Sequence, residues 1–283
     1  MFRLDAATVL LQWATGGLLF LWVTTRRREV SLGYGWLLRG TYLLMALGAL
    51  VAGLRYGDAV PLRELASGGV ALVSGVALAV SIVRRKAGVR GDREAHERRS
   101  ARVAAMTGIE RNRGELEEGP EFPPALDLVA PIVGLVGLVA AGAAAGDPAL
   151  LGVVRTVIGA AFLGAVTDGM LLGHWYLVQP GMPRAALLEL VRWVGWIWPF
   201  EVAALLWPTG MVSVLDGTID DGYNGMLGWF WVACAITTIA LVVVTRLALR
   251  ERQYAAVMAA TGLLYLAILT AFGTDLVARA TLS

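Results

Sequence analysis

The sequence predicts an all-α fold: a polytopic bundle of about eight membrane-spanning helices, with both termini outside and one sizeable cytoplasmic loop. Composition, run length and charge placement all point to it. Hydrophobic residues make up 57 % of the 283 positions and charged residues only 16 %, where a soluble domain holds just under half and about a quarter respectively. Mean hydropathy is +0.66. Eight apolar runs are each near the roughly 20 residues needed to carry a helix across about 30 Å of hydrocarbon. In lipid, runs of this kind satisfy their backbone only as helices. Basic residues then gather on alternate loops, which fixes a direction for every run.

The first run covers 6–24. Its basic flank, Arg26 to Arg28, follows it, and no small-x-small cleavage site intervenes, so it reads as a retained reverse anchor and not as a leader. The second (36–54) and third (66–83, the shortest) complete the first transmembrane unit, residues 1–83. Residues 84–124 form the charged cytoplasmic loop, basic in its first half (RRKAGVRGDREAHERRSARVAAM) and acidic in its second (GELEEGPEFPP). Within it, Asp92 to Met106 can form a polar helix on an anionic leaflet, or the arginines simply enforce topology. His96 belongs to this loop and needs no special role.

The second unit, 125–283, holds five runs. The fourth (126–146) is rich in Gly and Ala, with Gly142 and Gly146 spaced as GxxxG, which predicts close helix contact. The fifth (150–177, the longest) and sixth (186–210) are joined by the tight turn VQPGMPR. The seventh (226–246) holds Cys234, a small packed hydrophobe; the eighth covers 253–274. Arg26 to Arg28, the ten basic residues from Arg84 to Arg113, Arg184, Arg246, Arg250 and Arg252 fall on one side, the cytoplasm of an inner-membrane protein. Arg3, Arg55, Arg63 and Arg279 fall on the other, with the acidic turn LDGTIDDGYNG. No internal repeat or matched pair of broken helices is visible, which counts against an inverted-repeat transporter.

Ionisable groups inside spans are costly, so functional reading starts with them. Asp168, thirteen residues inward from Arg155, and Glu201, nine residues outward from Arg192, both fall near the midplane, where two antiparallel spans would let them meet and share a proton. They are the candidate catalytic pair. The structural alternative has each acid hydrogen-bonded to backbone or to Thr167, Ser74 or Tyr265. Arg39, Arg155 and Arg192 are expected near span ends, with their charges snorkelling out. Pro199 frees the carbonyl of Gly195 and loosens the helix beside Glu201.

His174 and Trp175 read either as an interfacial belt or as contacts to a quinone carbonyl or haem iron. Trp193 and Trp196 lie three apart on one face; they are core, or a stacking wall for a flat ligand. One cysteine excludes an intramolecular disulfide and a Cys-based cluster. As the only histidine in the spans, His174 cannot build a bis-histidine haem within the chain. Asp216, Asp220 and Asp221 fail the EF-hand spacing and read as an acidic turn, so no metal ligand set is assigned. The net charge of +2, with basic residues confined to loops, implies no nucleic acid.

The leading functional reading is a membrane-embedded subunit of a redox complex, with a quinone-type (less readily haem) site between the fifth and sixth spans. Its partners would be lipid and other membrane or peripheral subunits. The alternatives are a proton-coupled transporter using the two carboxylates, or a non-catalytic scaffold or assembly factor whose cytoplasmic loop does the binding.

Overall fold

The computed structural model describes residues 5–56, 58–87, 89, 97, 120–145, 148–179, 182–208, 210–251 and 253–282. Among these it is helical, with no strand. In chain order the helices are α1 (Ala6–Thr25), α2 (Leu32–Arg55), α3 (Pro61–Val83), α4 (Val129–Ala145), α5 (Ala149–Trp175), α6 (Ala185–Leu206), the short α7 (Met211–Leu215), α8 (Met226–Ala248) and α9 (Tyr254–Thr281). A 3-10 turn, Pro124–Leu128, leads into α4. Apart from Glu97, the proposed polar helix from Asp92 to Met106 lies outside the described residues, as do His96 and Gly146.

Seven helices are long and apolar enough to cross a membrane. The eighth, α6, is 22 residues long but carries Glu189, Arg192 and Glu201. Its contacts nevertheless show it crossing the bundle. At its start, Glu189 pairs with Arg26 and Arg27 at the end of α1. Near its end, the Ala204 carbonyl accepts from Arg155 near the start of α5.

Two four-helix rings result, each winding up and down in chain order. In the first, α1 packs on α2, α2 on α3, α3 on α4, and α4 returns to α1; in the second, α5, α6, α8 and α9 close in the same sequence. The rings join where α5 packs on α1 and α4. With little hydrophobic drive between helices in lipid, such joints depend on close packing of small residues. At the α1–α5 crossing a Cβ on Gly16 would lie 1.8 Å from the Ala160 carbonyl oxygen, and one on Gly164 would lie 2.1 Å from the Gly16 carbonyl carbon. Gly142 likewise abuts the backbone of α5 at Val153.

α2, α3, α8 and α9 outrun their hydropathy boundaries while α4 and α6 stop short of theirs, and several charges lie elsewhere than expected. Arg39 and Arg155 do not snorkel: they are buried, at 1 % and 4 % exposure. Arg39 forks onto Asp127, Nε to Oδ1 at 2.7 Å and one terminal nitrogen to Oδ2 at 2.8 Å, and lies 4.2 Å over the Phe122 ring. Arg63 and Arg279, expected in outer loops, are also buried. Arg63 pairs with Asp5 and with Glu64. In each case a carboxylate or carbonyl inside the protein replaces water, which is what allows an arginine at that depth.

Candidate functional site

The ionisable residues of the bundle interior fall into two centres, and the aromatic candidates line a separate surface. Asp168, on α5 at the seam between the rings, accepts a hydrogen bond from the Tyr42 hydroxyl of α2 through Oδ1; the Tyr34 hydroxyl donates to its main-chain carbonyl at 3.3 Å. Its Oδ2 is buried without a hydrogen-bond partner among the described residues. Thr167, beside it, accepts from the Trp13 indole at 2.9 Å. The partner of Asp168 is therefore a tyrosine of the other ring, and not Thr167, Ser74 or Tyr265.

Glu201 lies in the second ring with Asp275 and Arg279 of α9, Arg155 of α5 and Gln12 of α1. Arg279 donates from Nε to Asp275 Oδ2 at 2.8 Å and from a terminal nitrogen to the Gln12 side-chain oxygen; the Gln12 amide then donates to Asp275 Oδ1 at 3.4 Å. Gly159 gives this cluster room, since a Cβ there would lie 2.3 Å from Gln12 Nε2 and 2.8 Å from Asp275 Oδ1. The Glu201 carboxyl faces that of Asp275 and lies within electrostatic reach of Arg155 and Arg279. Both of its oxygens are buried and meet no donor among the described residues.

Asp168 and Glu201 thus do not meet. Gly159 marks the level of the Glu201 cluster on α5, and Asp168 is nine residues further along, about 13 Å at 1.5 Å of rise per residue. The midplane expectation counts inward from Arg155 and Arg192 as if they ended their spans. Arg155 in fact lies six residues inside α5 and Arg192 seven inside α6. The acids consequently lie towards opposite ends of the bundle, Asp168 towards the end that carries Arg26 and Arg184 and Glu201 towards the end that carries Arg63 and Arg279.

The four aromatic and histidine candidates also separate. His174 is exposed on α5, with Nδ1 3.3 Å from the Tyr265 hydroxyl of α9. Trp175 donates its indole N–H to Ser31 Oγ at 3.1 Å and packs edge-on against Tyr34, on the side of the first ring. Trp193 and Trp196 do come together. They are not core but outward-facing, at 42 % and 70 % exposure, and with Ile197 and Phe200 they wall a groove of about 420 Å³ on α6. Glu189 and Arg192 line its end nearer the start of α6.

Indole donors distinguish these two tryptophans from the others inside the bundle. Trp13, Trp36, Trp175, Trp198 and Trp231 each donate to a protein acceptor. Trp22, Trp207 and Trp229 lie at helix ends, where water and headgroups are within reach. Trp193 and Trp196 lie eight and eleven residues into α6, about 12 and 16 Å deep, and neither indole N–H has an acceptor among the described residues. A belt tryptophan sits at headgroup level; these two stand a third to a half of the way along the 22-residue helix.

In the outer turn, Asp216 and Asp220 accept from the main-chain N–H groups two residues on, and Asp221 accepts from those of Tyr223, Gly225, Leu227 and Gly228. Their carboxylates fix the turn and cap α8. Comparisons with protein-family models, curated proteins and solved structures return no match to this chain.

Proposed function

We propose that this multi-pass membrane protein binds a flat, lipid-soluble carbonyl compound of the quinone type in the α6 groove, as the membrane-embedded subunit of a redox complex. The observation that carries the reading is the pair of indole donors on the outward face of α6 that meet no acceptor among the described residues. An N–H with no acceptor in hydrocarbon is unfavourable, and acyl chains supply none. A quinone supplies carbonyl acceptors, a flat ring to lie against Trp193, Trp196 and Phe200, and an isoprenoid tail that stays in lipid. The groove's own acid, Glu189, stands at its cytoplasmic end, where a quinone head exchanging protons with water would need one. This reading rests on Trp193 and Trp196; His174 and Trp175 face elsewhere and take no part in it, and a haem has no ligand set in the groove.

Photolabelling with an azido-quinone tests it on the full-length chain in lipid nanodiscs. Label is expected on the α6 peptide spanning 189–200, with competition by an isoprenoid quinone and not by phospholipid. Replacing both Trp193 and Trp196 by Phe keeps the rings and removes the donors; losing two hydrogen bonds of about 1 kcal/mol each is expected to weaken binding on the order of 10- to 30-fold. Label distributed over other helices, or equal competition by phospholipid, overturns the reading.

A proton-coupled transporter is the second reading, and the buried acids Asp168 and Glu201, each with an oxygen that meets no donor, favour it. In that case proton flux in liposomes would fail in Asp168→Asn and Glu201→Gln, and the groove tryptophans would be dispensable.

A further inference from the structure

We propose that Glu201 and Asp275 form a proton-binding carboxyl pair in the outer half of the second ring, with Glu201 the member that takes up and releases the proton. The two side chains come from α6 and α9, diagonal to each other across the second ring, and both residues are fully buried. Their surroundings differ. Both oxygens of Asp275 accept hydrogen bonds, Oδ2 from Arg279 and Oδ1 from Gln12. Those of Glu201 accept none. An ionised Glu201 would have nothing in place of its lost hydration, whereas a protonated Glu201 carries a donor of its own and has the Asp275 carboxylate beside it as acceptor. One proton shared between the two leaves Asp275 balanced against Arg279.

Among the described residues, the charged groups around the pair come from two helices. Arg279 lies on α9 and Arg155 on α5; α1 contributes only the neutral Gln12 and has no charged residue between Ala6 and Thr25. The short α7 has none, and the single charge of α8, Arg246, lies at its cytoplasmic end. Arg155 is the group that release of the proton would engage. Its Nε donates to the Ala204 carbonyl at 2.8 Å, a carbonyl that gains no helical donor because the residue four positions on is Pro208. When the Glu201 proton leaves, the Arg155 guanidinium has a new carboxylate within reach, so protonation of the pair is linked to the outer end of α6.

The inference does not depend on the α6 groove. Glu201 follows Phe200 in sequence but is turned about 100° from it around the helix, away from whatever the groove binds.

Infrared difference spectroscopy of the full-length chain in lipid tests the proposal across a pH titration. A carbonyl stretch of a protonated acid is expected in the unmutated protein, lost in Glu201→Gln, retained in Asp168→Asn, and moved in frequency in Asp275→Asn. Because Asp275→Asn also disturbs Arg279 and can fail to fold, carbon-13 labelling of glutamate carboxyls in the unmutated chain gives a reading without a substitution: the band must shift with the label. A protonated-acid spectrum unchanged in Glu201→Gln, or a band that ignores the glutamate label, overturns the proposal. A Glu201 band unmoved in a folded Asp275→Asn overturns the pairing.

Discussion

Tyr42 reaches Asp168 only because α1 offers it a glycine. A Cβ on Gly17 would stand 2.0 Å from the Tyr42 ring, so Gly17→Ala is expected to push the phenol away and to destabilise the protein more than Tyr42→Phe, which removes the hydroxyl alone. Tyr42→Phe leaves a buried acid without its donor and is expected to lower stability by about 1–3 kcal/mol, read as a fall in the unfolding midpoint in mild detergent. Arg39 and Asp127 offer a second test. Removing one member of a buried pair is expected to lower stability by about 3–5 kcal/mol, while replacing both by apolar residues of similar volume loses much less. Arg39→Met combined with Asp127→Leu should therefore unfold later than Arg39→Met alone. Asp168 and Glu201 are legible in the sequence because an acid inside an apolar run stands out. Tyr42 and Gln12 are not, because a tyrosine or a lone amide hardly changes the hydropathy of a span, and nothing local records which helix it faces.

At the scale of helices, the eight apolar runs coincide with the eight long helices, and the differences lie at their ends. Asp275 and Arg279 fall outside the eighth run because hydropathy treats charges as loop. In the structure α9 continues to Thr281 and the two pair across one turn. A carboxylate and an arginine four residues apart at the end of an apolar run are the signal that could have extended it. The outward turn of Trp193 and Trp196 had no such signal, since a face of a helix is assigned only by its neighbours. The start of α8 yields a prediction on pH. Partial desolvation pushes the Asp221 carboxyl up, but main-chain N–H groups of Gly225, Tyr223, Leu227 and Gly228 outweigh it and hold it below the usual carboxylate range. A carboxyl lowered in the folded state contributes stability that is present above its unfolded value and lost as pH falls through the folded one. The protection of the 225–228 amides, their exchange rate relative to the intrinsic rate at each pH, should thus fall in acid, below the ordinary carboxylate range. In Asp221→Asn that dependence should vanish, with fast exchange already at neutral pH; identical pH profiles in the two proteins would refute the cap.

For the whole molecule, the arrangement in two rings imposes a sidedness that contacts and loop charges specify independently. Asp5, before α1, meets Arg63 at the start of α3, and Gln12 meets Arg279 near the end of α9, so the start of α1 and the end of α9 share one face. On the opposite face Arg28 meets Glu121 before α4, and Arg184 before α6 donates to the carbonyls of Leu249 and Gln253 after α8. This agrees with the positive-inside assignment, which places the second face in the cytoplasm. The decisive element is α6, because it alone of the eight long helices carries three residues of the Asp, Glu and Arg type, and its omission would invert everything after it. Cysteine scanning decides the point on a Cys234→Ala background, which removes the lone buried thiol. Tyr56→Cys and Thr218→Cys are expected to react with a membrane-impermeant maleimide added to intact cells, and Val178→Cys and Arg250→Cys only after permeabilisation. These four positions are exposed and lie in turns between helices. If α6 did not cross, Thr218→Cys and Val178→Cys would label from the same side, and Arg250→Cys would move to the side of Tyr56→Cys.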